Sequence, residues 1–286
     1  MMTTVYRSTV PVVAFAVVAM GVSGCAWFQR APEVPLKEAT AAQLTGQLQQ
    51  RVEVIETMKG LFRAQISGSV IPISQRVESA VYYRRPESFR LQGFNHVGGK
   101  LFEFRQNRTH YRLDLPSEGK RYAGSLEELH RAKIGRLLQL SRWAVGGVVG
   151  GGSSPEGLRT VLSEDGDRYR LDTFLPAPPE RLVRRIWFER RSLQLVEEER
   201  LRENGEVDAS LTFEDYRVVP STPTGGTVAE TGRMVAMPFK ITIVDRIASG
   251  TVVLTFHEIV LNPALRPEET GLAARAESAP HEHSGG

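Results

Sequence analysis

The sequence predicts a mainly β, α+β fold, in which one antiparallel sheet of about eleven strands is accompanied by two amphipathic helices. Three observations lead there. Short stretches of alternating apolar and polar residues recur from Phe62 to Leu261. Turn residues separate these stretches at short, regular spacing. Only two segments beyond Cys25, beginning at Thr40 and Ser125, carry a helical period instead. A single antiparallel sheet of that length must curl, split or close, and the two helices are available to cover one of its faces. No internal repeat of about 20–50 residues is visible.

The chain opens differently. Arg7 is the one charged residue before Cys25, and an uncharged run from Val10 to Val22 leads to the small residues Ser23 and Gly24. A basic start, a short apolar core and a small-residue exit predict a secretory signal over residues 1–24. The run is too short for a span of roughly 20 residues. Cys25 is the single cysteine of the 286-residue chain, so it has no internal disulfide partner. Val22-Ser23-Gly24-Cys25 resembles the bacterial lipobox. That resemblance implies a diacylglyceryl thioether on Cys25, cleavage before it, and attachment to membrane lipid. Two or more acyl chains anchor a protein stably where one does so marginally. Ala26 stands where an aspartate favours inner-membrane retention in Gram-negative lipoproteins, which, in an organism with two membranes, implies an outer-membrane anchor facing the periplasm. Residues 25–37 include Pro32 and Pro35 and are expected to form an extended tether.

The remaining elements follow in order. Thr40 and Gln43 have capping-box spacing, and Leu44, Leu48, Val52, Ile55 and Met58 continue as one helical stripe, with Gly60 as its expected stop. Strands are expected at Phe62–Val70, Val77–Tyr83, Phe89–Leu91, Leu101–Phe104 and Tyr111–Leu115. Ser125 and Glu128 form a second capping box before a helix that runs through Leu126, Leu129, Ile134, Leu137, Leu138 and Val145 and stops at the glycines from Gly146. Strands then resume around Asp165-Gly166 and Asn204-Gly205, the strongest hairpin signals, where both central residues of a type I′ turn need positive φ. A final pair, Phe239–Ile247 and Val252–Leu261, closes the sheet. The body is expected to cover residues 38–263, and residues 264–286, rich in Glu, Ala, Arg, Pro and His, are expected to be a disordered tail.

This order, with the phrases Arg85-Pro86-Glu87-Ser88-Phe89-Arg90-Leu91, Tyr122-Ala123-Gly124-Ser125-Leu126 and Phe256-His257-Glu258-Ile259-Val260-Leu261-Asn262, resembles the LolA/LolB lipoprotein-sorting superfamily over roughly residues 40–262. The resemblance implies an open, incomplete β-barrel whose apolar concave face is lidded by helices and holds acyl chains of lipids or lipoproteins. Alternation supplies candidate lining residues: Phe89, Leu91, Phe102, Phe104, Tyr111, Leu113, Leu211, Phe213, Val252, Leu254 and Phe256. For any one of these residues, filling a core against the helices is the commoner role, and they are named as candidate lining only. The loop Asn95-His96-Val97-Gly98-Gly99 matches the place where the anchored member of the superfamily carries a membrane-facing leucine, so Val97 is the candidate counterpart, smaller and on a short loop.

Several function classes lose support. Removing residues 1–24 leaves 35 basic against 33 acidic residues, interleaved, which gives no basic patch for nucleic acid. The six histidines form no His-Glu-x-x-His motif, and the glycines at 146–152 lack the Lys-Ser/Thr ending of a phosphate loop. Glu197-Glu198-Glu199 reads as a solvated strand segment rather than an acid–base pair. Nothing points to an enzyme, a metal or a cofactor. The leading expectation is a lipid-anchored protein that shelters lipid or lipoprotein acyl chains as cargo. The alternative is a regulatory or scaffolding envelope lipoprotein that binds a protein partner.

Overall fold

A computed structural model of the chain describes residues 34–68, 71–86, 88–131, 135–149, 158–176, 178–221 and 232–270. The expected signal segment, Cys25 and most of the expected tether lie outside the described residues. The chain divides into two units, residues 1–36 and 37–286. In the first, residues 34–36 run without helix or strand. The described helices and strands all lie in the second.

Helix α1 (Ala41–Val54) leads into β1 (Thr57–Gly68), β2 (Ile71–Arg84), β3 (Ser88–Phe94), β4 (Lys100–Gln106), β5 (His110–Leu115) and β6 (Lys120–Ser125). Two helices follow, α2 (Leu126–Arg131) and α3 (Gly135–Val149). Strands β7 (Arg159–Asp165), β8 (Arg168–Leu175), β9 (Arg181–Glu189), β10 (Leu195–Leu201), β11 (Val207–Pro220), β12 (Met234–Asp245) and β13 (Gly250–Leu261) complete the sheet before a short α4 (Pro267–Thr270). All thirteen strands form one sheet in the order β6-β5-β4-β3-β2-β1-β13-β12-β11-β10-β9-β8-β7. Every pairing between neighbouring strands is antiparallel. The first and last strands therefore pair in the middle, and the two ends of the sheet, β6 and β7, are consecutive in sequence but unpaired. This is an open barrel rather than a closed one.

The expected count of about eleven strands falls short of the thirteen described, in part because β6 gives a weak signal. Its Lys120-Arg121 start is charged, and its first four residues are exposed, as suits an end strand. The expected first helix is too long. It starts with the predicted Thr40–Gln43 capping box but ends at Val54, and Met58 and Gly60 belong to β1. The stop is imposed from across the molecule. Asn262, at φ 55°, accepts hydrogen bonds from the backbone N–H groups of Glu56 and Thr57 and donates one to the Val54 carbonyl. Gly60 instead opens space on β1, since a side chain there would lie 2.9 Å from the Phe256 ring.

The second predicted capping box is present: Glu128 N–H donates to Ser125 Oγ, and Ser125 N–H donates to the Glu128 carboxylate. The single helix expected after it is assigned as α2 and α3. The latter continues through Gly146 and Gly147 rather than stopping there. Both predicted hairpins form, but only their glycines, Gly166 and Gly205, take positive φ. The expected type I′ geometry at Asp165-Gly166 and Asn204-Gly205 is thus not adopted. Part of the predicted tail is placed: Arg90 donates to the Glu268 carbonyl and Arg84 to the Leu265 carbonyl, so α4 lies against β2 and β3. Among the described residues no helix is long and apolar enough to cross a membrane.

Candidate functional site

Strand register decides which side chains share a face, and here it lines up two long apolar rows. One crosses Leu113, Phe104, Leu91, Val81, Gly60 and Ile259. The other crosses Ile66, Val252, Ile243, Leu211, Glu198, Ile186, Leu171 and Leu162. Between them stand Phe62 opposite Phe256, with ring centroids 5.1 Å apart, and Ala64, Leu254, Ile241 and Phe213 in register. This is the inner face, the side on which the helices pack. Helix α3 lies against β12, and α2 against β5 and β6.

All eleven predicted lining residues fall on this face. Phe89, Leu91, Phe104, Leu113, Leu211, Phe213, Val252, Leu254 and Phe256 are buried in the core. Phe102 and Tyr111 are partly buried and pack at its border, toward the β6 end of the sheet. Phe102 lies over Gly93, where a side chain would come within 2.2 Å of its ring. Gly147 plays the same part for α3: a side chain there would meet the Phe213 ring at 2.4 Å. Gly147 therefore seats the helix on the sheet. Val97 lies apart from the face, 76% exposed at the β3–β4 turn, whose shape is held by Asn95 accepting from the Val97 and Gly99 N–H groups.

The outer face is a lattice of ion pairs. Glu103 is nearly enclosed, and its carboxylate meets Arg90 at 2.9 Å together with Lys100 and Arg105. Burial pushes the Glu103 carboxyl up. Hydrogen bonds from Lys100 and Arg90, with the charges of Arg105 and Arg90, overcome this and hold it at about 2. Asp114 is held below the usual carboxylate range as well: burial raises it, and hydrogen bonds from Arg121 and Arg112 outweigh that.

On the inner face, Glu198 contradicts the sequence expectation. It is not solvated but fully buried, in the middle of the second apolar row. Its neighbours Glu197 and Glu199 face outward, as strand alternation requires. Glu198 pairs with Arg184 at 2.7 Å and with Arg200. Burial raises its carboxyl, yet the charges of Arg184 and Arg200 bring it below the ordinary value. Arg200 and Arg184 stand opposite each other in the next row, which also contains Asp245, Ala209 and Thr173. Arg136 of α3 closes this end. It binds Asp245 at 2.8 Å and Asp208 at 2.9 Å. The inner face thus has a broad apolar field and one charged border. The sequence carried a trace of it: a glutamate at an inward position, with arginines placed two residues along the same strand and across on the next. Among the described residues no three His, Cys, Asp or Glu side chains are grouped as metal ligands would be.

No protein-family model and no curated protein matches the chain. Solved structures do match its fold. A domain named for outer membrane lipoprotein sorting, from Vibrio parahaemolyticus, is similar at a TM-score of 0.51 and 10% identity, over 79% of this chain and 95% of that one. A DUF1329 family protein from Desulfovibrio piger gives a TM-score of 0.53 at 10% identity, over 78% and 92%. A LolA superfamily protein from Nitrosomonas europaea gives 0.50 at 11% identity, over 81% and 98%. The expected LolA-like open-barrel fold is therefore the fold this chain has.

Proposed function

We propose that this chain is a lipid-anchored envelope protein that shelters acyl chains of lipids or lipoproteins against the apolar inner face of its sheet. One observation carries the reading: all eleven alternation-selected residues share one continuous apolar face, in a sheet whose ends do not close. An acyl chain there would be held by apolar area at roughly 25 cal/mol per Å², without bond-making chemistry. The face is largely covered in this state, so a ligand enters beside partly buried residues such as Phe102 and Tyr111, or by displacing α3. The fold shared with a domain named for lipoprotein sorting supports the same reading. The lipobox resemblance at Cys25 supplies the anchor, with the outer membrane as its address, and Val97 is a candidate contact with the bilayer.

Native mass spectrometry of the detergent-extracted chain tests this. Bound species with lipid masses are expected, depleted in Phe102→Ser, a substitution at a partly buried site that leaves the core intact. A clean apo mass across repeated preparations would overturn the reading. Separately, Cys25→Ser is expected to abolish labelling by a radioactive fatty acid and to release the protein from the membrane fraction.

A further inference from the structure

The outer face of β3, β4 and β5 has a charge arrangement that sheet stability does not call for. Arg90, Arg105 and Arg112 stand directly opposite one another on three neighbouring strands, and Tyr82 and Lys59 continue the row across β2 and β1. Like charges set opposite one another weaken a sheet. The adjacent row supplies two carboxylates, Glu103 and Asp114, with Arg121 beside them. Glu103 is shared by Arg90, Lys100 and Arg105, and Asp114 by Arg112 and Arg121. Five cations are thus set against two carboxylates. The acids also lie deeper: the side chains of Glu103 and Asp114 are 4% and 20% exposed, against 37% for Lys100 and 68% for Arg121. A body approaching this face meets the positive layer first.

The sequence carries the same bias. Residues 57–125, which contain β1 to β6, hold 12 Lys and Arg against 5 Asp and Glu, whereas residues 159–261, which contain β7 to β13, hold 14 against 17. Residues 262–286 hold 2 against 4, so even laid entirely on the first half they leave it positive. The kind of partner follows from what the face lacks and from what borders it. A protein interface buries an apolar, charge-poor centre. Here the centre is charged, and Tyr82, the aromatic member of the row, has Lys59 5.6 Å and Arg90 5.9 Å from its ring centre. The turn that joins β3 to β4 carries the exposed Val97. Apolar contact beside basic charge binds proteins to anionic bilayer surfaces, and guanidinium groups match phosphate oxygens in pairs. We propose that the outer face of β3–β5 docks on an anionic phospholipid bilayer, with Lys100, Arg105, Arg112 and Arg121 against the lipid phosphates. The proposal rests on the reading above only for the anchor that brings the chain to a bilayer, and adds which face it turns toward the lipid.

The test places the detergent-extracted full chain on vesicles of phosphatidylcholine alone, or of phosphatidylcholine with phosphatidylglycerol. Flotation measures attachment. An uncharged amine-reactive reagent, read by peptide mass spectrometry, measures access to Lys100, with the half-exposed Lys240 of β12 as reference. One basic group at an anionic surface favours contact about fivefold. On the anionic vesicles, labelling of Lys100 relative to Lys240 is therefore expected to fall by at least about fivefold, and to recover in high salt. Arg105→Gln combined with Arg121→Gln leaves Glu103 with Arg90 and Lys100, and Asp114 with Arg112, and is expected to remove most of the protection. Arg168→Gln combined with Arg202→Gln makes the same change of charge on the β7–β13 half and is expected to leave the protection intact. Equal relative labelling on the two kinds of vesicle, or protection lost equally in both double variants, overturns the docking face. Protection of Lys100 by soluble polyglutamate, and not by anionic vesicles, overturns the bilayer in favour of an acidic protein partner. Flotation with anionic vesicles alone, with Lys100 protected, supports the docking face and overturns the anchor.

Discussion

Glu103 and Glu198 are both enclosed glutamates held by arginines, and they are expected to respond differently to perturbation. Glu103 lies on the outer face, with its carboxyl at about 2 against an ordinary 4.5. A depressed folded-state value contributes stability that is fully present above about pH 4.5 and is lost as pH falls from there through about 2. Glu103→Gln is expected to flatten this dependence, measured by urea unfolding between pH 7 and pH 2. Glu198 has no solvent to fall back on. Glu198→Gln leaves Arg184 and Arg200 without their counter-charge and is expected to cost about 3–5 kcal/mol in denaturant unfolding at neutral pH. Replacing the trio together by apolar residues, Arg184→Leu, Glu198→Leu and Arg200→Met, is expected to recover most of that loss. If the single substitution proved neutral, the trio would not be the buried, coupled unit described here.

The elements are joined by a few residues whose partners are far away in sequence. Asn262 follows β13 and ties the end of α1 to the start of β1, and its side chain also donates to Ser221 Oγ. At φ 55° the position also suits asparagine better than most residues. Asn262→Ala removes four hydrogen bonds and is expected to destabilise the fold by roughly 2–3 kcal/mol, read from the urea midpoint at unchanged slope. Helix α3 depends on close approach instead. Gly147→Leu would drive a side chain into the Phe213 ring, and a loss of about 1–3 kcal/mol is expected from overpacking despite the better helix propensity of leucine. Should Gly147→Leu stabilise the protein, α3 would not be seated on β11 as described.

At the scale of the whole molecule, the pairing of β1 with β13 makes the last strand as central as the first. Ending the chain after Ile247 would remove β13 and cut the sheet between β1 and β12. That truncation is expected to abolish folding, with loss of the β signal in far-ultraviolet circular dichroism. A truncated chain that kept native-like circular dichroism would show that the two halves stand alone. This centrality also explains what could be read in advance and what could not. Alternation of side chains is a local consequence of the extended backbone, so the sequence alone placed Phe89, Leu91, Phe104, Leu211 and Leu254 on one face, and local backbone needs likewise marked both capping boxes and both hairpins. The end of α1, the seat of α3 and the burial of Glu198 depend on Asn262, Phe213 and Arg184, residues that only the folded sheet brings near. Sequence determined which groups could be hidden together. Tertiary structure decided which were, because a charge enters a dry interior only where its counter-charge is already in place.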